Sequence, residues 1–156
     1  MKKPALISLL VVTAMINLAI GAQSPPSSNQ TSSHTMVAPE AVKWSRSGPG
    51  MEVAVLSGNP QGEGTPFVLR LKIADGTKVP AHWHPVDENL TVIAGTFYMG
   101  QGEKFDESKA HEMKVGSYGF MPKETRHFAW VKGETVIQIH GVGPFKTFWV
   151  EPRGNQ

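Results

Sequence analysis

The chain of 156 residues contains no cysteine. That excludes disulfide staples and a thiol-linked lipid anchor, so core packing, helped or not by a bound metal, must hold the fold. No apolar run is long enough to cross a bilayer: the longest, Ala5 to about Ile20, spans about 16 residues and contains Asn17, short of the roughly 20 that a spanning helix needs. A clustered basic run is missing too. Apolar periodicity at helical spacing over three turns is absent from Ala41 onward, which excludes a helical bundle.

What the N-terminus does have is Lys2 and Lys3, then the apolar run, then the small residues Gly21 and Ala22. This is the layout of a secretory signal peptide, expected over residues 1–22, with the cut after Gly21 or, less favoured, after Ala22. The expected location is the periplasm or the medium. Removing Lys2 and Lys3 from the 15 basic residues leaves 13 against 13 acidic ones. The mature domain is then close to neutral, the whole-chain pI of about 8.9 misleads, and neither nucleic acid nor a membrane surface is an expected partner.

Residues 23–40 are rich in Ser, Pro and Thr and poor in large apolar side chains. Such a segment cannot bury enough surface to offset the entropy of ordering, so it reads as a tether, and His34 within it has no expected role. Residues 41–156 hold the single folded domain. Short alternating or β-branched runs recur there between Gly, Pro, Asn and Asp, an all-β pattern. Ten strands are expected: 51–56, 66–73, 81–84, 88–93, 96–99, 112–115, 118–121, 127–131, 135–141 and 147–150. Asp75-Gly76 and Lys132-Gly133-Glu134 carry hairpin-turn chemistry.

The densest chemistry lies between Gly76 and Gly95, where His82, His84 and Glu88 fall within seven residues. Side chains of a strand alternate faces, so His82 and His84 at i and i+2 present two imidazoles to one side, with Trp83 opposite. Pro80 and Pro85 bracket the pair. An antiparallel return brings Glu88 back toward them. His127 follows the turn at Pro122, with Ala129 and Val131 on its face. Three imidazoles and one carboxylate suit a borderline divalent ion such as Fe, Mn, Ni, Cu or Zn, and disfavour Mg or Ca. Taken singly, an H-x-H pair is often an exposed edge feature and a lone histidine an ordinary surface or core residue.

Together these residues resemble the cupin superfamily. The first signature of that family, G, five residues, H-x-H, three or four residues, E, six residues, G, is met by Gly76, His82, His84, Glu88 and Gly95. The second, G, five residues, P-x-G, two residues, H, three residues, N, is met by Gly116, Pro122 and His127. Glu124 stands where the family has glycine and Val131 where it has asparagine. The first departure weakens the expectation of a tight turn there, because glycine tolerates positive φ and glutamate does so poorly. The second leaves the ligands untouched.

The resemblance implies a jelly-roll β-barrel with one divalent metal at His82, His84, Glu88 and His127; a metal-free site for an organic ligand is the alternative. It looks like the small, exported, single-domain cupins, for which oxidation of a small organic molecule in the manner of a dioxygenase is expected ahead of lyase or isomerase chemistry. Glu88 is then a candidate proton acceptor and His140, alternating with Gln138 and Val136, a candidate pocket-facing donor or proton carrier. A non-catalytic metal or ligand-sensing module is the alternative function. Tyr98 and Tyr118 are weaker substrate contacts, the four tryptophans are expected in the core or at an oligomer contact, and the polar loop 100–109 is a solvated excursion or lid. A homodimer through edge strands is compatible with the apolar residues near both chain ends.

Overall fold

Among the described residues, 34–151 of a computed structural model, the alternating segments pair into nine strands, all antiparallel. They are β1 Ser45–Gly48, β2 Met51–Gly58, β3 Pro66–Ile73, β4 Lys78–Trp83, β5 Glu88–Gln101, β6 His111–Met113, β7 Tyr118–Met121, β8 His127–Val142 and β9 Phe148–Trp149. The leader expected over 1–22 and most of the tether expected over 23–40 lie outside the described residues. Within 34–40 the chain is exposed and enters a single 3-10 turn at Pro39–Ala41.

One curled sheet runs in the order β1-β2-β3-β8-β4-β9, and β5 adds itself to β8 while carrying β6 and β7. The all-β jelly-roll expectation holds. Several details differ from the sequence reading, and β1 at Ser45–Gly48 was not among the expected strands. Strands expected to end at Ile93 and Val131 continue, so that 88–101 and 127–142 are each one long strand. Lys132-Gly133-Glu134 is therefore a corner inside β8 and not a hairpin turn, because the segments on either side of it pair with β5 and not with each other: Val131 faces Phe97 and Val136 faces Ala94.

Gly95, at φ 76°, makes the matching corner in β5. A Cβ there would lie 2.4 Å from both the Glu134 oxygen and Thr135 Oγ1, so only glycine fits. Thr135 is fully buried and pins the corners: the Thr96 N–H donates to its Oγ1 at 3.2 Å, and its hydroxyl lies 3.2 Å from Thr96 O and 3.1 Å from Gly133 O. Asp75-Gly76 is a turn, but it joins β3 and β4, which flank β8 on opposite sides and do not pair. Asp75 Oδ1 accepts from the Gly133 N–H at 2.6 Å, which ties that turn to the corner.

The concave face is filled by Phe67, Leu69, Leu90, Val92, Ile137 and Ile139, none more than 5% exposed. Each such side chain contributes about 1.5–3 kcal/mol of burial, and together they pack the barrel interior behind the histidines. The tryptophans are not in this core. All four are partly exposed: Trp44 lies under Lys72, Trp83 between Phe148 and Arg126, Trp130 against Tyr98, and Trp149 against His82. Loop 102–109 packs Phe105 on Phe128, at 5.3 Å between centroids. Phe128 alternates with His127, so the loop seals the opposite face of the sheet from the histidines.

Candidate metal centre

At one end of the barrel β4 stops and β5 and β8 begin, and those three ends carry the candidate ligands. His82 pairs directly with His127 across β4 and β8, His84 lies one residue beyond β4, and Glu88 opens β5. The turn from Pro122 to Thr125 is closed by a Thr125 N–H to Pro122 O bond of 3.1 Å and places Glu124 at φ 63°. Glutamate thus occupies the left-handed conformation that glycine would take without strain. The turn in return holds the site, because the Glu124 N–H donates to His84 O at 2.7 Å.

Ring centroids are 4.2 Å apart for His82 and His127, 5.1 Å for His82 and His84, and 5.4 Å for His84 and His127. One ring nitrogen of each lies within 4.8 Å of the others. Every Nδ1 faces a backbone carbonyl: Pro80 O at 2.7 Å for His82, Lys146 O at 2.8 Å for His84 and Thr125 O at 2.9 Å for His127. A carbonyl only accepts, so each Nδ1 carries the proton and donates it. In the neutral ring Nε2 is then left as a lone pair. Such outward bonds fix tautomer and ring orientation in metal-binding histidines.

Glu88 Oε2 lies 3.3 Å from His127 Nε2 and 3.7 Å from His84 Nε2. No donor is aligned on this buried oxygen. The four side chains are closed off, at 7% exposure for His82, 5% for His84, 4% for Glu88 and 2% for His127. Burial, then the neighbouring His127, pushes the His82 pKa down to about 3, and burial lowers that of His84. For His127 burial works downward but is outweighed by the close Glu88 carboxylate, so its pKa rises. For Glu88 burial works upward and is outweighed by His127 and the other two rings, so its pKa falls.

A buried carboxylate oxygen without a donor, set among nitrogens whose protons have been turned outward, is costly in an apolar end of a barrel. A cation shared by all four removes that cost. The donor set, three imidazoles and one carboxylate, fits a divalent transition ion.

The structure does not bring His140 to this cluster. It is exposed on the outer face beside Asn89 and Val68, since inward Ile139 alternates with it. Tyr118 is also outside, donating to Asn89 Oδ1 at 2.6 Å, and Tyr98 stacks on Trp130. Sequence reasoning expected a strand at 147–150, where β9 lies, but missed the contact of the segment after β8 with the histidines. Phe145 stacks on the His84 ring at 4.1 Å and 24°, Trp149 lies 5.3 Å from His82, and Lys146 supplies the carbonyl for His84. Only the Phe-Lys-Thr-Phe-Trp aromatic density hinted at it.

Residues 32–146 match the family model of the ChrR cupin-like domain. No curated protein matches the chain. Among solved structures, the polyketide cyclase RemF from Streptomyces resistomycificus is similar at TM-score 0.61 and 16% identity, covering 76% of this chain and 87% of that one. KdgF from Halomonas sp. is similar at TM-score 0.55 and 17% identity, with 70% and 94% covered. The complex of Rhodobacter sphaeroides SigE with the anti-sigma ChrR contains a chain similar at TM-score 0.53 and 22% identity, with 67% and 51% covered. At these identities the likeness is one of fold.

Proposed function

The chain belongs to the ChrR cupin-like domain family, and on that premise we propose that it is a metal-dependent cupin holding one divalent transition ion at His82, His84, Glu88 and His127 and acting there on a small molecule. The observation that carries this reading is the outward commitment of all three Nδ1 protons to Pro80, Lys146 and Thr125, which leaves three unprotonated nitrogens and the donorless Glu88 oxygen facing one another. Of the reactions open to such a donor set, oxidation with dioxygen ranks ahead of lyase or isomerase chemistry. When bound, the ion supplies Lewis acidity and, if it is redox-active, electron transfer. The protein's own part is to hold the rings in one tautomer, to exclude water by burial, and to offer Glu88 as an acceptor for a proton released beside it.

A second reading, a metal- or ligand-sensing module without turnover, is favoured by the burial of all four side chains and by the likeness to the complex that contains the anti-sigma ChrR. Elemental analysis and oxygen uptake separate the two. About one equivalent of iron, manganese, nickel or copper, with oxygen consumed in the presence of a small organic substrate, supports the enzyme. Stoichiometric zinc with no oxygen uptake across a panel of such substrates supports the sensor, and protein purified without chelators that holds no metal refutes the enzyme and the metal sensor, leaving only a sensor of organic ligands. Export belongs to the same proposal: the intact mass of material recovered outside the cytoplasm should lack residues 1–21 or 1–22.

A further inference from the structure

We propose that Phe145 is the residue that sets the size of molecule able to reach the metal, admitting small ligands such as dioxygen or azide and disfavouring bulky aromatic ones. This rests on the reading of His82, His84, Glu88 and His127 as ligands of one ion. The centre has three sides to be approached from. From the barrel interior the way is filled by Leu90, Met99, Ala129 and Ile139, at 0 to 5% exposure. From the turns it is laced shut, because the Lys123 N–H donates to Asp87 Oδ1 at 2.8 Å and the Glu124 N–H to His84 O at 2.7 Å.

The third side is covered by the segment from Gly143 to Val150. Its backbone is fastened at both ends: Gly143 N–H to Thr65 O at 2.9 Å, Phe145 N–H to Pro60 O at 2.7 Å, and Val150 N–H to Ala81 O at 3.0 Å, with β9 paired to β4. Trp149 is carried by that pairing. The Phe145 ring, by contrast, is held by ring contacts, one face stacked on His84 and the ring tilted against Phe67 at 5.2 Å. It is half-buried, and so stands between solvent and a ligand ring. Rotation of an apolar ring held by dispersion breaks no hydrogen bond, and of the apolar rings on this segment Phe145 is the one stacked on His84. Truncation to alanine keeps the backbone bond to Pro60 and removes only the ring.

The test uses cobalt(II)-loaded protein, whose visible spectrum reports ligands entering the centre. Azide and 4-phenylimidazole are titrated into wild type, Phe145→Ala and Phe145→Leu. Azide is expected to change the spectrum of all three, whereas 4-phenylimidazole binds Phe145→Ala at least ten-fold more tightly than wild type, with Phe145→Leu between them. If Phe145→Ala fails to take up cobalt, the comparison is made with Phe145→Val. A purely structural ring would lower the melting temperature and leave the ratio of the two affinities unchanged, and that result overturns the proposal, as does tight binding of 4-phenylimidazole to wild type. Failure of wild type to bind cobalt is a distinct outcome that refutes the metal reading itself and this proposal with it.

Discussion

Replacing Glu124 by glycine should stabilise the protein. Glu124 sits at φ 63° in the turn that delivers His127, and an L-residue in that region loses roughly 1–2 kcal/mol. Glycine removes the penalty but has a freer unfolded chain, which offsets roughly 0.4–1 kcal/mol. The net gain is then about 0.5–1 kcal/mol. For a domain of about 120 residues the unfolding entropy is about 0.25 kcal/mol per degree, so the melting temperature should rise by about 2–4 °C. Glu124→Ala separates backbone strain from loss of charge, because it keeps a Cβ in the same conformation and should leave stability nearly unchanged. Differential scanning calorimetry of the metal-free forms measures both. The Glu124 N–H to His84 O bond survives either substitution, so metal stoichiometry should not change. A lower melting temperature for Glu124→Gly, or an equal rise for Glu124→Ala, would refute the argument from strain.

His84→Ala should abolish stoichiometric metal; with metal at about 1,000 times its dissociation constant the wild type gains about 4 kcal/mol from binding, so the variant should forfeit about 16 °C of metal-dependent melting temperature, and unchanged metal content would remove this residue from the ligand set. Metal-free protein should lose stability as the pH falls from 6.5 to 4.5: His82 takes up a proton when unfolded but, with its pKa near 3, not when folded, so the unfolded state binds more protons and the loss is about 2 kcal/mol. His84 adds in the same direction, while raised His127 and lowered Glu88 change little in that window; urea titrations in chelator at the two pH values check this, and equal stability would contradict it. Gly100→Ala should cost roughly 1–3 kcal/mol by overpacking, because its Cβ would meet the Phe128 ring at 2.3 Å and Phe128 is fully buried; a neutral result in chemical denaturation would show that the loop carrying Phe105 yields instead.

The local chemistry of the centre was legible because the period of a strand is two. His82 and His84 share a face in any strand, and the return of Glu88 needs only a short turn after Pro85. What failed was continuity. Gly95 and Gly133 each look like the end of a strand, and whether a glycine ends a strand or bends it depends on which strands lie beside it. Here β5 and β8 accompany each other through both corners, information that neither segment holds alone. The misplacement of His140 follows from the same gap. With β8 read as two strands, the face of 135–141 is free to be chosen. Read as one strand with His127 inward, the even-numbered His140 must point outward, as inward Val131, Ile137 and Ile139 do not allow otherwise.

The carbonyls that orient the rings divide along similar lines. Pro80 and Thr125 each precede their histidine by two residues, so those two bonds are local in sequence. Lys146 lies 62 residues from His84, and its contribution comes from main chain, which leaves no side-chain signature at position 146. A backbone carbonyl also resists substitution: changing Lys146 alters the side chain but leaves the acceptor for His84 in place. The placement of that acceptor instead depends on the anchors of the segment that carries it, the Phe145 bond to Pro60 and the pairing of β9 with β4. The orientation of one candidate ligand is therefore set by residues with no metal-binding chemistry of their own, which is why a motif of histidines and a glutamate was enough to find the candidate centre and not enough to say what closes it.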